Sequence, residues 1–364
     1  MQVYIDNLWD VDLNSWMRGD TLCLQAKGAA RPWVCRNADV KFIALFSDSS
    51  QALDFYSDWK ALFGEDDIIY LPELPLTADK VGQSALWVNR GELFERWRRE
   101  NEKKVLVSTP GSLMTPLSFA DDSFTIVVGE DIGRDRLARW LQVSGYEPVD
   151  LVWSPGQLSV RGSLVDLFDP VYRYPIRVEF FDDEVVSIRA FDTETQKSIV
   201  HHEQIEIHRI SGNKLAFPIK LLPKDCRIIL FEPKDVETQA DIYSWLWGRL
   251  CDDDRSLPSI PDWQEVYMKI ATLPHLRISS SLEAATYRFD ILKEPYFKGK
   301  LEDANAFLNK WRSEGYEICL YADTKHLEEW AVQRGINLVP RVISAGFLDL
   351  RRRYVALSQS AIMG

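Results

Sequence analysis

A change of pattern near residue 130 constrains this chain more than any other feature. Before it, short apolar runs at 40–46 and 68–71 flank an amphipathic stretch at Ser49–Phe63. In that stretch apolar residues recur three and four apart and Gly64 follows, which predicts a helix ending at the glycine. The alternation continues through a charged helix, a strand, a turn and a further strand: 91–101, 104–108, 109–111 and 124–128. Alternating strands and helices predict a parallel α/β sheet.

From residue 131 the pattern is that of a small antiparallel unit. A helix is predicted over 134–144, where Gly145 ends it, and Asp182–Asp183 between two apolar runs is typical of a hairpin turn. Five short strands are predicted: Gln157–Arg161, 164–168, Ile176–Phe181, 185–191 and 205–210.

The α/β pattern returns towards the end of the chain. Strands and helices are predicted at 226–231, 235–250, Leu301–Ser313, 316–321, 324–333, 338–344 and 354–357, with a polar loop at 252–261. The chain therefore divides into a first α/β lobe (1–130), an antiparallel domain (131–205), a returning lobe (206–275) and a small α/β domain (276–364). The fold class is α/β, with a parallel sheet interrupted by a mostly β domain.

Composition excludes several classes of function. A formal charge of −12 argues against broad electrostatic coating of DNA or of an anionic membrane. No run approaches the ~20 apolar residues that span a bilayer, and the first residues do not resemble a signal peptide. Five dispersed cysteines without a CxxC pair favour reduced thiols and a cytoplasmic location.

A parallel sheet of this kind would normally bind a nucleotide at the loop over residues 24–31. A phosphate-binding loop needs several glycines and a Gly-Lys-Ser/Thr sequence, for the phosphates and Mg²⁺. This loop has Lys27 and Gly28 only, without the hydroxyl residue, and no GxGxxG follows a strand. We therefore expect a degenerate loop that binds no nucleotide.

Other clusters of polar residues give weak signals for chemistry. Asp182–Glu184 is expected to be a solvated turn, and Asp252–Asp254 lacks the alternating ligands of a calcium loop. His201, His202 and His208 have no cysteine nearby that would complete a zinc site. We expect no catalytic residues, no metal and no cofactor in this chain.

The antiparallel segment at 145–198 carries the most specific information. It reads GYEPVD (145–150), PGQLSVRGSLVDLF (155–168), YPIRVEFFDDE (174–184), SIRAFD (187–192) and TQKS (195–198). These sequence motifs closely resemble those of the UvrA-interaction domain shared by the excision-repair protein UvrB and the transcription-repair coupling factors (Mfd).

The resemblance extends outward from this segment. DSSQAL (48–53) and YLPE (70–73) resemble the first lobe of the same module, and SAGF (344–347) with ALSQSAIMG (356–364) resembles the segment before the polymerase-interacting domain of the Mfd family. The region between His208 and Leu276 is shorter than in the family, and Ser358–Ser360 stands where the family usually has an acidic residue. UvrB would instead carry an intact phosphate loop. The chain is therefore similar to the N-terminal UvrB-homology region of the Mfd family.

One strand of the segment has the composition of a binding surface. Alternation along Ile176–Phe181 places Ile176, Val178 and Phe180 on one face, and Arg177, Glu179 and Phe181 on the other. Arginine beside an exposed aromatic is typical of protein interfaces. The resemblance implies that Arg161, Arg177 and Phe181 contact UvrA, with Arg189 as a fourth candidate. The alternative is that these arginines only form ion pairs with Glu179 or Asp166.

The resemblance implies a module that recruits UvrA in transcription-coupled nucleotide-excision repair and is itself non-catalytic. Binding of RNA polymerase and DNA, and use of ATP and Mg²⁺, would belong to other parts of a longer parent. The alternative is part of an ATP-dependent DNA translocase or helicase. Strong DNA binding is not expected here, because Glu95, Glu100 and Glu102 interrupt the nearest basic cluster, which is Arg96, Arg98, Arg99, Lys103 and Lys104.

Overall fold

The computed structural model describes residues 3–64, 67–76, 80–102, 104–119, 122–211, 214–255, 257–281 and 285–363, with the backbone alone for 80–84. The strands in chain order are β1 (Val3–Ile5), β2 (Thr21–Cys23), β3 (Phe42–Leu45), β4 (Ile68–Tyr70), β5 (Val105–Ser108), β6 (Leu117–Phe119), β7 (Ser123–Val127), β8 (Glu147–Pro148), β9 (Gln157–Arg161), β10 (Leu164–Leu167), β11 (Ile176–Phe181), β12 (Glu184–Phe191), β13 (Ser198–His202), β14 (Gln204–His208), β15 (Lys214–Ala216), β16 (Arg227–Phe231), β17 (His275–Ser279), β18 (Tyr287–Phe289), β19 (Ile291–Lys293), β20 (Glu317–Tyr321), β21 (Asn337–Val339), β22 (Phe347–Asp349) and β23 (Tyr354–Ser358).

The helices are α1 (Leu13–Arg18), α2 (Ala30–Val34), α3 (Ser49–Phe63), α4 (Lys80–Arg99), α5 (Pro110–Met114), α6 (Arg134–Val143), α7 (Pro218–Leu221), α8 (Pro233–Asp253), α9 (Trp263–Ile270), α10 (Leu301–Ser313), α11 (Lys325–Gln333) and α12 (Gln359–Met363). A short 3₁₀ turn covers Leu8–Asp10.

The predicted parallel sheet is present. Its strand order is β1-β18-β2-β17-β16-β3-β5-β4, and every neighbouring pair is parallel. The strand β3 is buried along its whole length because helices cover both faces of such a sheet. Strands from before and after the antiparallel domain share this sheet, with β16 directly beside β3.

The helices α3 and α10 have the predicted bounds. The Asp48 carboxylate accepts from the Gln51 amide at the start of α3, and Gly64 ends that helix as predicted. Helix α4 begins eleven residues before the predicted start at residue 91. The predicted turn at 109–111 is wrong, because Thr109 caps the short helix α5 with its side chain.

The antiparallel domain is built on a six-stranded sheet of order β13-β12-β11-β10-β9-β8. Its pairs are antiparallel except β8 with β9. The strands predicted at 157–161 and 176–181 have the expected bounds, and Phe181 pairs with Glu184 across the predicted hairpin. The edge strand β13 was not predicted.

The strand predicted at 124–128 is present as β7, but it does not extend the parallel sheet. It pairs antiparallel with β14, from Ser123 with His208 to Val127 with Gln204. This pair packs its buried Ile126, Ile205 and Ile207 into the hydrophobic core of the antiparallel domain, which also contains Leu137 and Leu141 of α6. The division of the chain at residues 130, 205 and 275 stays a prediction.

A five-stranded sheet follows, which we call the C-terminal sheet. Its strand order is β19-β22-β23-β20-β21, and α10, α11 and α12 pack on it. The strand predicted at 338–344 is shorter than expected, because β21 ends at Val339. The residues after it reach the first lobe instead, where Arg341 donates to the Lys60 carbonyl at 2.7 Å. The two α/β parts also share one hydrophobic cluster, which joins Phe46 and Trp16 to Ile343 and Phe347.

Candidate functional site

The predicted alternation of β11 is confirmed. Ile176, Val178 and Phe180 are buried, whereas the side chains between them lie on the opposite face of the sheet. We call this opposite face the outer face and define it by Arg161, Asp166, Arg177, Glu179, Phe181 and Arg189. Phe181 is the one apolar residue in this set, and it is 71% exposed.

A buried carboxylate organises the outer face. Arg177 donates to both oxygens of Asp166, from Nε at 2.7 Å and from Nη2 at 2.8 Å, and Arg161 donates to Oδ2 at 2.7 Å. The Asp166 side chain is only 2% exposed, whereas that of Arg161 is 44% exposed. The hydrogen bond to Asp166 raises the pKa of Arg177 above its usual value. Bidentate pairs of this kind fix the guanidinium plane.

The neighbouring strands complete the row of charges. Arg189 lies directly opposite Arg177 in the register and donates to Glu179 at 2.5 Å. The guanidinium of Arg177 also covers the ring of Phe191 at 4.4 Å and donates to the Gln196 side chain. Three guanidinium groups therefore share two carboxylates at the centre of this face, and Glu184, which pairs with Phe181 in the register, adds a third carboxylate at its hairpin end.

The ion pairs that the alternative interpretation required are thus present. They hold the guanidinium groups on the outer face instead of removing them from it, because Arg161 and Arg189 stay partly accessible while their partners anchor them. The hairpin at Asp182, whose φ is +53°, ends the face beside Phe181. The arrangement suits binding of a protein surface through an aromatic anchor and oriented arginines.

Sequence reasoning missed one element beside this face. Strand β13 has no clear alternation of apolar and polar residues, so it was not predicted. Its His201 pairs in register with Arg189. The half-buried His208 belongs elsewhere, where its backbone amide donates to Asp169 at 2.6 Å and its ring lies 3.3 Å from the same carboxylate.

The loop with Lys27 and Gly28 lies between β2 and α2, where a phosphate loop would be. Gly28 has a φ of +59°, and the Ala29 amide donates to the Ala345 carbonyl at 3.0 Å. A Cβ on Gly28 would lie 2.7 Å from that carbonyl oxygen. An amide that could face a phosphate therefore faces the chain itself, while Lys27 is exposed.

A buried carboxyl group joins the same segment to the first lobe. The Ser344 amide and hydroxyl donate to Asp58 at 2.6 Å each. Burial raises the pKa of Asp58 to about 7, against these hydrogen bonds, which lower it. The folded chain therefore holds this proton more tightly than the unfolded chain does.

This pKa predicts a pH-dependent contribution to stability. The contribution of Asp58 should be largest below pH 4 and decline as the pH rises to about 7, because the unfolded carboxyl ionises near its ordinary pKa of 3.8. We expect Asp58→Asn to remove a decline on the order of 2 kcal/mol between pH 5 and pH 8. Urea unfolding of both proteins at the two pH values measures it, and a constant difference between them would contradict it.

The structure also places the other polar and basic clusters that the sequence singled out. Within the described ranges, no group of three or more His, Cys, Asp or Glu side chains could hold a metal ion. All five cysteines are free thiols, and Cys251 is half-buried while the other four are buried. The basic residues of α4 are paired locally, Arg98 and Arg99 with Glu95 and Arg96 with Glu100. Lys103 lies outside the described residues.

Residues 124–211 match the family model of the UvrB interaction domain. This match contains the outer face, the hairpin and all of the β7–β14 pair except Ser123. None of the helices that the structure describes is both long and apolar enough to cross a membrane.

The chain is also similar to curated transcription-repair-coupling factors. It is 44% identical over 82 residues to that of Myxococcus xanthus, a match covering 22% of this chain and 7% of the relative. It is 30% identical over 154 residues to that of Bacillus subtilis (strain 168), covering 41% and 13%, and 40% identical over 95 residues to that of Staphylococcus aureus (strain USA300), covering 26% and 8%. The chain thus matches about a tenth of the length of these relatives.

These matches define the class of the chain. It carries a UvrB interaction domain within a mixed α/β structure of parallel and antiparallel sheets. Over the matched residues it is similar to a UvrB-homology module of the kind found in transcription-repair-coupling factors.

Proposed function

We propose that this module recruits UvrA during transcription-coupled nucleotide-excision repair and does so without catalysis of its own. The observation that carries the proposal is the outer face. Arg161, Arg177 and Phe181, which the resemblance assigns to UvrA, lie together on one rigid sheet inside the matched domain. We propose Arg189 as a fourth contact, because its position opposite Arg177 extends the same row.

The energetics of the face support a role in binding. Three arginines held by Asp166 and Glu179 lose little side-chain entropy when a partner docks, since their rotamers are already fixed. The exposed Phe181 offers an apolar anchor beside them. The three arginines at the centre of the face would favour an acidic surface on UvrA.

The parallel sheet has a structural role in this proposal. We infer that its loop at Lys27 and Gly28 is a degenerate phosphate loop that does not bind nucleotide. The contact of Ala29 with Ala345 supports this, because it satisfies the amide that a phosphate would need. Binding of RNA polymerase, DNA, ATP and Mg²⁺ would then belong to other parts of a longer parent. We expect this chain to bind DNA only weakly, because the arginines of α4 are paired with neighbouring glutamates.

Phe181→Ala tests the proposal most cleanly. We expect UvrA to bind the variant chain at least tenfold more weakly, because an exposed aromatic anchor is lost. The melting temperature should not change, since Phe181 is 71% exposed and contributes little to the core. Titration of UvrA against the immobilised chain measures the affinity.

Phe307→Ala provides the matched control. Phe307 is also an exposed phenylalanine, on α10 of the C-terminal sheet and far along the chain from the outer face. Its replacement should leave the affinity for UvrA unchanged. Equal affinities of wild type and Phe181→Ala would refute the assignment of the outer face.

A further inference from the structure

A loop beside the outer face carries a second aromatic residue that the sequence analysis did not single out. Of the tryptophans that the structure describes, Trp153 and Trp245 alone are exposed, and Trp153 is 53% exposed. Leu151, two residues earlier, is exposed as well. Exposed apolar residues that lie close together are typical of interaction surfaces.

The loop is attached to the outer face by side chains of β9. Gln157, Ser159 and Arg161 alternate along this strand, and Ser159 lies in register with Asp166, so all three belong to the outer face. The Gln157 side chain accepts from the amides of Trp153 and Ser154 at 2.9 Å each. The Ser159 hydroxyl donates to the Asp150 carbonyl at 2.8 Å. Three hydrogen bonds thus hold the loop in one conformation against this face.

The register gives the extent of the combined surface. Leu158, Leu167 and Ile176 are aligned across the sheet, so Gln157 and Phe181 lie at opposite ends of it. Six residue steps and two strand spacings separate them, which is about 22 Å. One partner's share of a standard interface, about 800 Å², corresponds to a disc roughly 32 Å across. A single partner can therefore cover Phe181, the arginines and Trp153 together.

We propose that Trp153, with Leu151, is a second apolar anchor for the protein that binds the arginines of the outer face. The inference rests on the proposed function, which makes that partner UvrA. The arrangement places oriented arginines between two exposed aromatics, and Trp, Tyr and Arg are the residues that dominate binding energy at interfaces. The partner surface that it fits has an acidic centre flanked by two apolar depressions.

The test is titration of UvrA against the full chain carrying Trp153→Ala. We expect the affinity to fall about tenfold or more, mainly through faster dissociation, and Trp153→Phe to restore most of it. Trp245→Ala is the matched control. Trp245 is 63% exposed on α8, which packs on the parallel sheet, and its replacement should leave the affinity for UvrA unchanged.

The outcomes separate this inference from the proposed function. Wild-type affinity in Trp153→Ala, with binding lost in Phe181→Ala, would overturn the second anchor and leave the outer face intact. Unchanged affinity in both variants would overturn the proposed function itself. A loss of self-association in Trp153→Ala without a change in UvrA affinity, seen by sedimentation, would assign the loop to a contact between two copies and also overturn the inference.

Discussion

Arg177→Ala should both weaken the binding of UvrA and destabilise the antiparallel sheet by about 2 kcal/mol. The alanine removes two hydrogen bonds, of 2.7 and 2.8 Å, from Asp166. The carboxylate then stays buried with Arg161 as its remaining cation, and an underpaired buried charge is costly. An exposed interface arginine without such a contact could be replaced at little cost in stability, so the expected destabilisation comes from the bonds to Asp166.

Hydrogen exchange of the strands β10 and β11 measures the destabilisation. A cost of about 2 kcal/mol corresponds to roughly thirtyfold faster exchange of their slowest amides. Arg161→Ala is the control, because this partly exposed arginine makes one hydrogen bond to Asp166 and should cost at most about 1 kcal/mol. Equal exchange in wild type and Arg177→Ala would contradict the structural role of the pair.

A double variant separates stability from binding. Asp166→Leu with Arg177→Met replaces the buried ion pair by apolar side chains, which often recovers the stability lost when one partner is removed. We expect its melting temperature to return towards that of wild type while the affinity for UvrA stays low. Recovery of both would mean that Arg177 contributes to binding only by keeping the sheet folded.

Gly28→Val should separate the C-terminal sheet from the first lobe. The glycine has a φ of +59°, which a β-branched residue adopts only with strain. Its new Cβ would also lie 2.7 to 2.8 Å from three atoms of Ala345, two of them backbone. The segment must move away, which removes the Ala29–Ala345 hydrogen bond and disturbs the bonds between Asp58 and Ser344.

Gly335→Val isolates the effect of this contact. Gly335 has the same φ of +59°, but a Cβ there meets nothing within 4 Å. Its replacement should cost about 1–2 kcal/mol of backbone strain, whereas Gly28→Val should add overpacking of about 1–3 kcal/mol or more. Limited proteolysis and hydrogen exchange over residues 341–347 report the separation. Similar protection of that segment in both variants would show that Ala345 adapts to the new side chain.

The parts of the fold that the sequence predicted are those with a local signal. The helix α3 has a regular apolar face and a terminal Gly64, so its bounds were predicted correctly, and the Asp48 cap is a further finding of the structure. The strand β11 alternates strictly, so its buried and outer faces were as well. Strand β13 is exposed along nearly its whole length and has no such pattern, and it was missed for that reason.

Only the tertiary structure shows which strands pair with each other. The strand predicted at 124–128 had the composition of either sheet, and only its register with β14, some eighty residues later, assigns it to the antiparallel domain. The returning strand β16 likewise showed no sign that it would lie beside β3. Apolar periodicity reports which side of an element is buried, but not which distant element buries it.

The sequence by itself determined the resemblance to the UvrB interaction domain, the antiparallel strands that follow residue 131, and the arginines and Phe181 of the outer face. These follow from short sequence motifs and local periodicity, which are properties of neighbouring residues. The tertiary structure alone decided that Asp166 holds two arginines, that Ala345 meets the Gly28 loop and that Trp153 lies beside the same face. Those contacts depend on strand register and domain packing, because segments far apart in the chain must meet before their hydrogen bonds exist.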